Sequence, residues 1–456
     1  MEILTKLLPN RLLHGSTKMQ VIRCFTGLLA FIGYVSGYVL LATAYAEPLY
    51  ASENADCNSN LNIVTAATDV DELKILGNDF PALHGLTSAV THCSEQYKIN
   101  AEHTQTYREL QLPALAARPA NFDIVLTGNN AIVPLLNEGL LQPLDKLIDK
   151  YAPQLPKRNR VTFNGQTMAI AALANAQHLY VREDLLRSVD APVPQTFAEM
   201  IELCEKLKQQ TDIRYPLVAS FKAGWDLGLE FINHYLATGG SFNRHNSSSI
   251  NNAAGLAALA NLDAMTNCMN PDYLSQGTNE IQSIWQSGDA AIAFLWGSRA
   301  SSILDSSDTL PIVRNHTVLT GAPLVATAGV ADSLQAASTL WWVGFAVPNN
   351  LSEERAAAGF TTMLQGLYSP HLLQQYNDEA VWLLDEYNPG DSALGTQQVV
   401  KAGAPAYPSD VLIGLLHHAA GEQIPAFLQG RLNAEATLQA IDAWVATSAR
   451  EKGFIK

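Results

Sequence analysis

The segment Phe122-Asp123-Ile124-Val125-Leu126 is a short apolar run that ends in the turn-forming residues Thr127-Gly128-Asn129-Asn130. A run of this kind, rich in β-branched residues and bounded by Gly and Asn, predicts a buried strand. A helical stretch follows at 131–138, and Gly139 ends it. Because a strand that leads through a loop into a helix is the repeating unit of α/β folds, this segment predicts a parallel sheet covered by helices.

The residues before this segment repeat the same order of elements. A β-rich run at 61–66 precedes a helical pattern at 71–80, and alternating apolar residues at 97–101 predict a second strand before a helix at 107–117. The order predicts a doubly wound α/β sheet. Ligands of such sheets bind at the carboxyl ends of the strands, where the loop 127–130 lies.

The second half of the chain predicts another set of strands and helices. Strands are expected at 165–171, 177–181 and 290–295. Thr196 and Glu199 form a capping box, in which the Thr196 hydroxyl accepts a hydrogen bond from the Glu199 amide at the start of a helix. Further helices are expected at 227–237, 252–267, 353–367, 410–420 and 433–446.

The N-terminal segment has the composition of a secretory signal. Residues 24–46 carry no charge, follow the basic residues Lys18 and Arg23, and end in Ala44-Tyr45-Ala46. A small residue at each end of that tripeptide suits a signal peptidase, so we expect cleavage before Glu47. The alternative is an uncleaved membrane anchor, because 23 uncharged residues are enough to span a bilayer.

Net charge and length limit the classes of function. The chain contains 28 basic and 43 acidic residues, which gives a net charge of −15. Segment 1–46, within which Met19 is an alternative start, holds four basic residues and one acidic residue, so the remaining 410 residues carry −18. This charge argues against nucleic acid and anionic membrane surfaces as binding partners. A chain of 410 residues is expected to form two lobes rather than one compact core.

The cysteines fit an oxidising compartment. Cys24 follows an isoleucine and an arginine where a lipoprotein acceptor needs small residues, so lipidation is not expected. The remaining Cys57, Cys93, Cys204 and Cys268 allow three disulfide pairings. We favour Cys57–Cys93 and Cys204–Cys268, which would keep each bridge within one lobe. A buried free thiol is the alternative for Cys204, because it lies on the apolar face of its predicted helix.

The sequence lacks the motifs that usually identify a catalytic centre. It contains no Gly-x-Ser-x-Gly, His-Glu-x-x-His, phosphate loop or Gly-x-Gly-x-x-Gly. His417 and His418 are adjacent on a predicted helix and point to different sides, so they cannot chelate one metal ion well. We therefore expect no enzyme, no cofactor and no metal. The alternative is an exported carbohydrate-active enzyme that uses Asp226 and Glu230, which are one helical turn apart.

Aromatic residues near the ends of predicted elements give the stronger signal. Trp296-Gly297-Ser298-Arg299 follows a predicted strand and combines a flat ring with a guanidinium group. Sugars stack their C–H faces on such rings and pair their hydroxyls with polar side chains. Core packing is the alternative for any single ring. The aromatic residues in question are Trp225, Trp296, Trp341, Trp342 and Tyr407.

Five segments, in their order along the chain, resemble the family 1 extracellular solute-binding proteins of ABC importers, the maltose-binding-protein group. The similarity covers nearly all of residues 58–456. It departs from the family pattern at Met168-Ala169, where an aromatic residue and a proline are usual, and in the longer Ala- and Ser-rich segment 310–340. The segments are 122–125 with 136–144, 164–171 with 179–186, 194–200, 288–297 and 342–348.

This resemblance implies two doubly wound α/β lobes joined by hinge strands, the type II fold of periplasmic binding proteins. The first lobe would take 47–172 and 336–393, and the second 173–335 and 394–456. Carried over position by position, the ligand-binding residues would be Thr68, Asp69, Thr127, Asn129, Asn130, Asn175, His178, Trp225, Trp296, Arg299, Trp341, Trp342 and Tyr407.

The same resemblance implies the partners. The ligand would be a small neutral sugar, oligosaccharide or polyol, and the closed protein would deliver it to the membrane subunits of an ABC permease. We expect a monomeric, non-lipidated periplasmic protein. A binding module that serves a sensor instead of an importer is a further alternative.

Overall fold

The computed structural model of the protein describes Cys57, residues 61–64, Ala66, and residues 70–129, 131–242, 249–331, 333–408 and 411–455. The predicted signal segment 1–46 lies outside the described residues. So do three of the predicted ligand-binding residues, Thr68, Asp69 and Asn130.

Thirteen strands and sixteen α-helices form within the described residues. The strands are β1 (Glu72–Gly77), β2 (Lys98–His103), β3 (Ile124–Gly128), β4 (Arg160–Phe163), β5 (Gln166–Asn175), β6 (Gln177–Arg182), β7 (Tyr215–Ala219), β8 (Ala290–Trp296), β9 (Thr317–Thr320), β10 (Leu324–Ala326), β11 (Leu334–Ala336), β12 (Trp341–Ala346) and β13 (Val381–Trp382). The helices are α1 (Pro81–His92), α2 (Tyr107–Ala116), α3 (Ile132–Asn137), α4 (Asp145–Tyr151), α5 (Glu183–Ser188), α6 (Phe197–Gln210), α7 (Trp225–Ala237), α8 (Ala253–Thr266), α9 (Thr278–Gln286), α10 (Ala300–Leu304), α11 (Pro311–His316), α12 (Glu353–Leu367), α13 (Pro370–Tyr376), α14 (Leu394–Lys401), α15 (Val411–Leu428) and α16 (Ala434–Glu451).

The first lobe is built on a seven-stranded sheet with the order β13-β5-β12-β3-β1-β2, in which β4 also pairs with β5. Strands β2, β1 and β3 are parallel, whereas β12 runs antiparallel to both β3 and β5. Helices α1, α4, α12 and α13 pack on one face and α2 and α3 on the other. The predicted doubly wound α/β class is therefore confirmed, with antiparallel strands added to the parallel ones.

The first strand is not where the sequence pattern placed it. The predicted strand at 61–66 has no strand structure in its described residues, and the predicted helix at 71–80 contains β1 instead. Leu73 and Ile75 are both 1% exposed, because β1 lies between β2 and β3 and is covered on both faces. The segment was predicted to be a helix because the charged residues Glu72 and Lys74 give its start a composition typical of helices. The loop after β1 is consequently 78–80.

The second lobe is built on a four-stranded sheet with the order β7-β8-β6-β9. Helices α6, α7, α8, α15 and α16 share one hydrophobic core, and α9, α10 and α11 share another on the opposite side. Strands β10 and β11 form a separate hairpin. The chain passes between the two sheets at Ala176, which separates β5 from β6, and again in the residues that precede β12.

Several local predictions are confirmed. The capping box starts α6, with the Glu199 amide donating to the Thr196 hydroxyl over 3.2 Å and the Thr196 amide donating to the Glu199 carboxylate over 2.9 Å. Both favoured disulfides, Cys57–Cys93 and Cys204–Cys268, are present.

Of the helices that the structure describes, none combines the length and the apolar character needed to cross a membrane.

Candidate functional site

A cavity of about 450 Å³ lies between the two lobes, within the usual size range of small-molecule sites. It collects the last residues of β3 and the segments that follow β1, β2, β7 and β8, as expected for the carboxyl ends of strands in an α/β sheet. Its wall contains Asn78, Phe80, Leu83, Gln105, Tyr107, Arg108, Leu126, Thr127, Gly128, Asn175, Lys222, Ala223, Trp225, Asp226, Gly277, Thr278, Asn279, Glu280, Trp296, Ser298, Arg299, Trp341 and Val343.

Three tryptophans form an aromatic wall on one side of this cavity. Trp225 begins α7, Trp296 ends β8 and Trp341 begins β12. The Trp225 and Trp296 rings are nearly parallel, with centroids 6.4 Å apart. The Trp341 ring stands edge-on to both, at 5.9 Å from Trp225 and 5.5 Å from Trp296. Each ring therefore supports the other two, and the wall offers fixed flat surfaces to an apolar ligand face.

Polar atoms without protein partners face the same space. Among the described residues, the Thr127 hydroxyl and the Trp225 indole nitrogen are buried and make no hydrogen bond. Both residues line the cavity. A buried hydroxyl or indole N–H without a partner is unfavourable, so the cavity wall holds two polar groups whose hydrogen bonds the protein leaves unmade.

Arg108 reaches from the first lobe onto Trp225, a ring of the aromatic wall that belongs to the second lobe. It stands in the first turn of α2, and its guanidinium carbon lies 4.3 Å from the centre of the Trp225 ring. This is a cation–π distance. The contact joins the two lobes directly across the cavity.

Asn175 and Ser298 join the lobes at the inner end of the cavity. The Asn175 amide donates to the Ser298 hydroxyl over 3.1 Å, and the Ser298 backbone N–H donates back to the Asn175 oxygen over 3.1 Å. That oxygen also accepts the Ala176 N–H. Asn175 therefore fixes the chain crossing while it lines the cavity.

A carboxyl group and several cations share the cavity wall. Burial raises the pKa of Asp226 to about 6, although Arg108, Lys222 and Arg299 act in the opposite direction. Burial also lowers the pKa of the Arg299 guanidinium, which donates to Gln282 over 3.3 Å. Asp226 is in the first turn of α7, where the helix dipole favours an anion. These side chains supply charged donors and acceptors suited to hydroxyl groups.

The structure brings six of the predicted ligand-binding residues to the cavity and places four elsewhere. The six are Thr127, Asn175, Trp225, Trp296, Arg299 and Trp341. Successive side chains of a strand point to opposite faces, so Trp342 packs into the core of the first lobe while Trp341 faces the cavity.

Asn129, His178 and Tyr407 are buried behind the wall. Asn129 is 2% exposed and binds the backbone, accepting from the Trp342 N–H over 2.8 Å. His178 is fully buried, which lowers its pKa to about 4. Tyr407 packs 4.2 Å from the Trp341 ring, and its hydroxyl pairs with His417. These three residues support the cavity wall instead of lining it.

The cavity residues that follow β1 and β2 were not among the predicted ligand-binding residues. Asn78 and Phe80 follow β1, and Gln105 and Arg108 follow β2. Asn78 and Phe80 were missed because the first strand was predicted at the wrong position. Gln105 and Arg108 could have been found, because they follow the second strand, which was predicted correctly.

The proposed acid–base pair does not form. Asp226 lines the cavity, but Glu230 is 0% exposed and binds Gln177 in the protein interior. In the described part of the chain, a single metal-like cluster occurs, at Cys204, Glu205 and Cys268, and its two cysteines are joined in a disulfide. That arrangement leaves no thiolate to bind a metal ion.

Comparisons with known proteins agree with this architecture. The family described as bacterial extracellular solute-binding protein matches residues 90–366. A ribitol complex of an ABC transporter solute-binding protein from Agrobacterium radiobacter K84 superposes with a TM-score of 0.70 at 17% identity, covering 83% of this chain and 98% of that one. No curated protein sequence matches the chain.

Two further solved structures are similar. The D-mannitol-bound solute-binding protein of Agrobacterium vitis S4 gives a TM-score of 0.65 at 18% identity, covering 85% of this chain and all of that one. Maltose-bound MalE3 of T. maritima gives 0.64 at 17% identity, covering 83% and 100%. At these identities the likeness shows a shared fold.

Proposed function

Because the chain belongs to the bacterial extracellular solute-binding protein family, whose members are binding proteins and not enzymes, we propose that it captures a small neutral sugar, oligosaccharide or polyol and delivers it to an ABC permease. The observation that carries the substrate class is the wall of three tryptophans beside hydrogen-bonding side chains in one cavity. Stacking surfaces together with paired donors and acceptors match the two kinds of surface that a sugar presents.

The mechanism is a clamp. The lobe built on the sheet of β1–β5, β12 and β13 forms one jaw, and the lobe built on the sheet of β6–β9 forms the other. A ligand that contacts both jaws stabilises the closed form relative to the open form by its differential affinity for the two. Arg108 from one jaw and Trp225 from the other already meet across the cavity, so a ligand bound there contacts both. The closed form then docks on the permease.

The family implies a periplasmic or extracellular location. We place the protein in the periplasm as a soluble monomer released by cleavage before Glu47. N-terminal sequencing of the exported protein tests this: a mature chain that begins at Glu47 supports it, and retention of residues 24–46 contradicts it.

A thermal-shift screen tests the function. Ribitol, D-mannitol, maltose and galactose are compared with amino acids and sugar phosphates. A specific ligand at 100 times its Kd adds about 2.7 kcal/mol of stability. Stabilisation by none of the sugars and polyols, or by an amino acid instead, would contradict the proposed substrate class.

Trp296→Ala tests the site within the same screen. It removes one of the three rings of the aromatic wall, so the ligand-induced shift should disappear. Trp444→Ala is the matched control, because Trp444 of α16 packs against His418 of α15 and does not line the cavity. A full ligand-induced shift in Trp296→Ala would show that the ligand binds elsewhere.

A further inference from the structure

A chain of hydrogen bonds leads from the aromatic wall into the interior of the second lobe. The Trp341 indole N–H donates to the Thr339 hydroxyl over 2.9 Å, and that hydroxyl donates to the Asn233 oxygen over 2.8 Å. The Asn233 amide donates to the Gln177 oxygen over 2.7 Å, and the Gln177 amide donates to Glu230 over 2.7 Å. The four residues behind Trp341 are at most 1% exposed.

The direction of this chain is set at its tryptophan end. An indole nitrogen can only donate, so the Thr339 oxygen must accept from it and turn its own proton towards Asn233. Each side-chain amide then accepts on one side and donates on the other. The series of donors must finish on an atom that accepts, and the Glu230 carboxyl oxygen is that atom. A buried amide N–H would otherwise be left unpaired, and the bonds of the chain polarise one another.

The hydrogen-bond chain connects two of the crossings between the lobes to one helix. Gln177 is the first residue of β6, directly after the first crossing, and Thr339 belongs to the second crossing. Asn233 and Glu230 lie one turn apart on α7, the helix whose first residue is Trp225 of the aromatic wall. The position of the Trp341 ring therefore depends on contacts made by both crossings and by α7.

We propose that Glu230 is a positioning residue, which holds the Trp341 ring in the aromatic wall by accepting the last hydrogen bond of this chain. Glu230 does not line the cavity. Its effect on a ligand would be indirect, through the orientation of Trp341, and that consequence rests on the proposed function. The orientation of the ring itself does not, so the two can be tested separately.

The test measures the indole N–H of Trp341 in the ligand-free protein labelled with ¹⁵N-tryptophan, with the resonance assigned by Trp341→Phe. Glu230→Gln keeps an oxygen acceptor at the end of the chain, and Glu230→Met removes it at similar length. We expect Glu230→Met to shift the Trp341 indole resonance and to speed its hydrogen exchange by about tenfold, the effect of losing one hydrogen bond. Glu230→Gln should keep the wild-type resonance and exchange rate.

Two more variants keep the proposal falsifiable if Glu230→Met does not fold. Gln177→Met breaks the chain one residue earlier and should change the Trp341 resonance in the same way. Ser338→Ala is the matched control, since the Ser338 hydroxyl is buried beside Thr339 but has no partner among the described residues. A merely structural role for Glu230 would lower the stability of Glu230→Met and Gln177→Met and leave the Trp341 indole signal unchanged, and that result would overturn the proposal. Because no ligand is used, a failed sugar screen does not affect this outcome.

Discussion

Replacing Asp226 by asparagine should stabilise the protein at neutral pH and have little effect near pH 4. Asp226 lines the cavity in the first turn of α7. Burial raises the pKa of its carboxyl from 3.8 to about 6, and the nearby Arg108, Lys222 and Arg299 only partly offset the loss of hydration. The folded protein therefore disfavours the charged form of this carboxyl group at neutral pH.

The magnitude follows from linkage between protonation and folding. A shift of about two pH units corresponds to about 3 kcal/mol, at roughly 1.4 kcal/mol per unit. Below pH 4 the carboxyl is protonated in both the folded and unfolded states, and the destabilisation is absent. Between pH 4 and 6 the folded state holds a proton that the unfolded chain has released, so stability falls as pH rises, and above pH 6 the full cost applies. The stability gained by Asp226→Asn should follow the same course.

Urea unfolding of wild type and Asp226→Asn, measured at half-unit steps from pH 4 to pH 7.5, provides the assay. We expect the difference in unfolding free energy to rise from near zero at pH 4 towards about 3 kcal/mol at pH 7. Asp308→Asn is the control for the substitution itself, because it replaces an exposed carboxyl group by the same amide. A pH-independent difference, or a loss of stability in Asp226→Asn at pH 7, would refute the reasoning.

Two other substitutions test what holds each lobe together. Arg355→Ala removes the bidentate partner of Asp123, which is 2% exposed and accepts over N–O distances of 2.7 and 2.8 Å, and should lower the unfolding free energy in urea by about 3 kcal/mol. Arg187→Ala breaks an exposed ion pair and should cost less than about 1 kcal/mol. Equal losses of stability in the two variants would contradict this expectation. Replacing Cys204 and Cys268 together by alanine opens a loop of 64 residues and should cost about 4 kcal/mol, and an unchanged urea midpoint would argue against the disulfide.

The elements that the sequence predicted well have local determinants. Strand β8 is a continuous apolar run, and all seven of its residues are buried, so its hydrophobicity alone is enough to predict it. Helix α6 begins with a capping box, in which the two side chains that fix its start are three residues apart. Such signals need only neighbouring residues, and the order of the elements that they mark predicted the α/β class.

The missed strand β1 shows where local patterns stop being informative. Its Lys74 looks unsuitable for a central strand, yet its backbone N–H donates to Asp123, which Arg355 in turn holds from α12. These partners are 49 and more residues away. Their presence cannot be read from residues 71–80, and the cavity residues Asn78 and Phe80 were lost with the strand.

The aromatic residues of the site were found by type, whereas their orientation required the pairing of strands. Trp341 and Trp342 are chemically equivalent in the sequence. Pairing of Trp341 with Asn175 and of Trp342 with Ala174 places one ring in the cavity and the other in the core. Tyr407 and Asn129 were likewise predicted from residue type alone. In the structure their polar atoms form hydrogen bonds within the protein, and neither residue lines the cavity.

The spacing of Asp226 and Glu230 first suggested an acid–base pair, and the structure gives that spacing a different meaning. With Asn233 the two residues follow the i, i+4, i+7 pattern, so all three lie on one side of α7. This polar stripe begins at the cavity with Asp226 and continues inward to the hydrogen-bond chain at Glu230 and Asn233. Catalysis by a carboxyl pair needs both groups in contact with the substrate. Since Glu230 is fully buried, it cannot contact a substrate in the cavity. The i, i+4 spacing instead places a cavity residue, Asp226, and the last acceptor of the hydrogen-bond chain, Glu230, on the same side of α7.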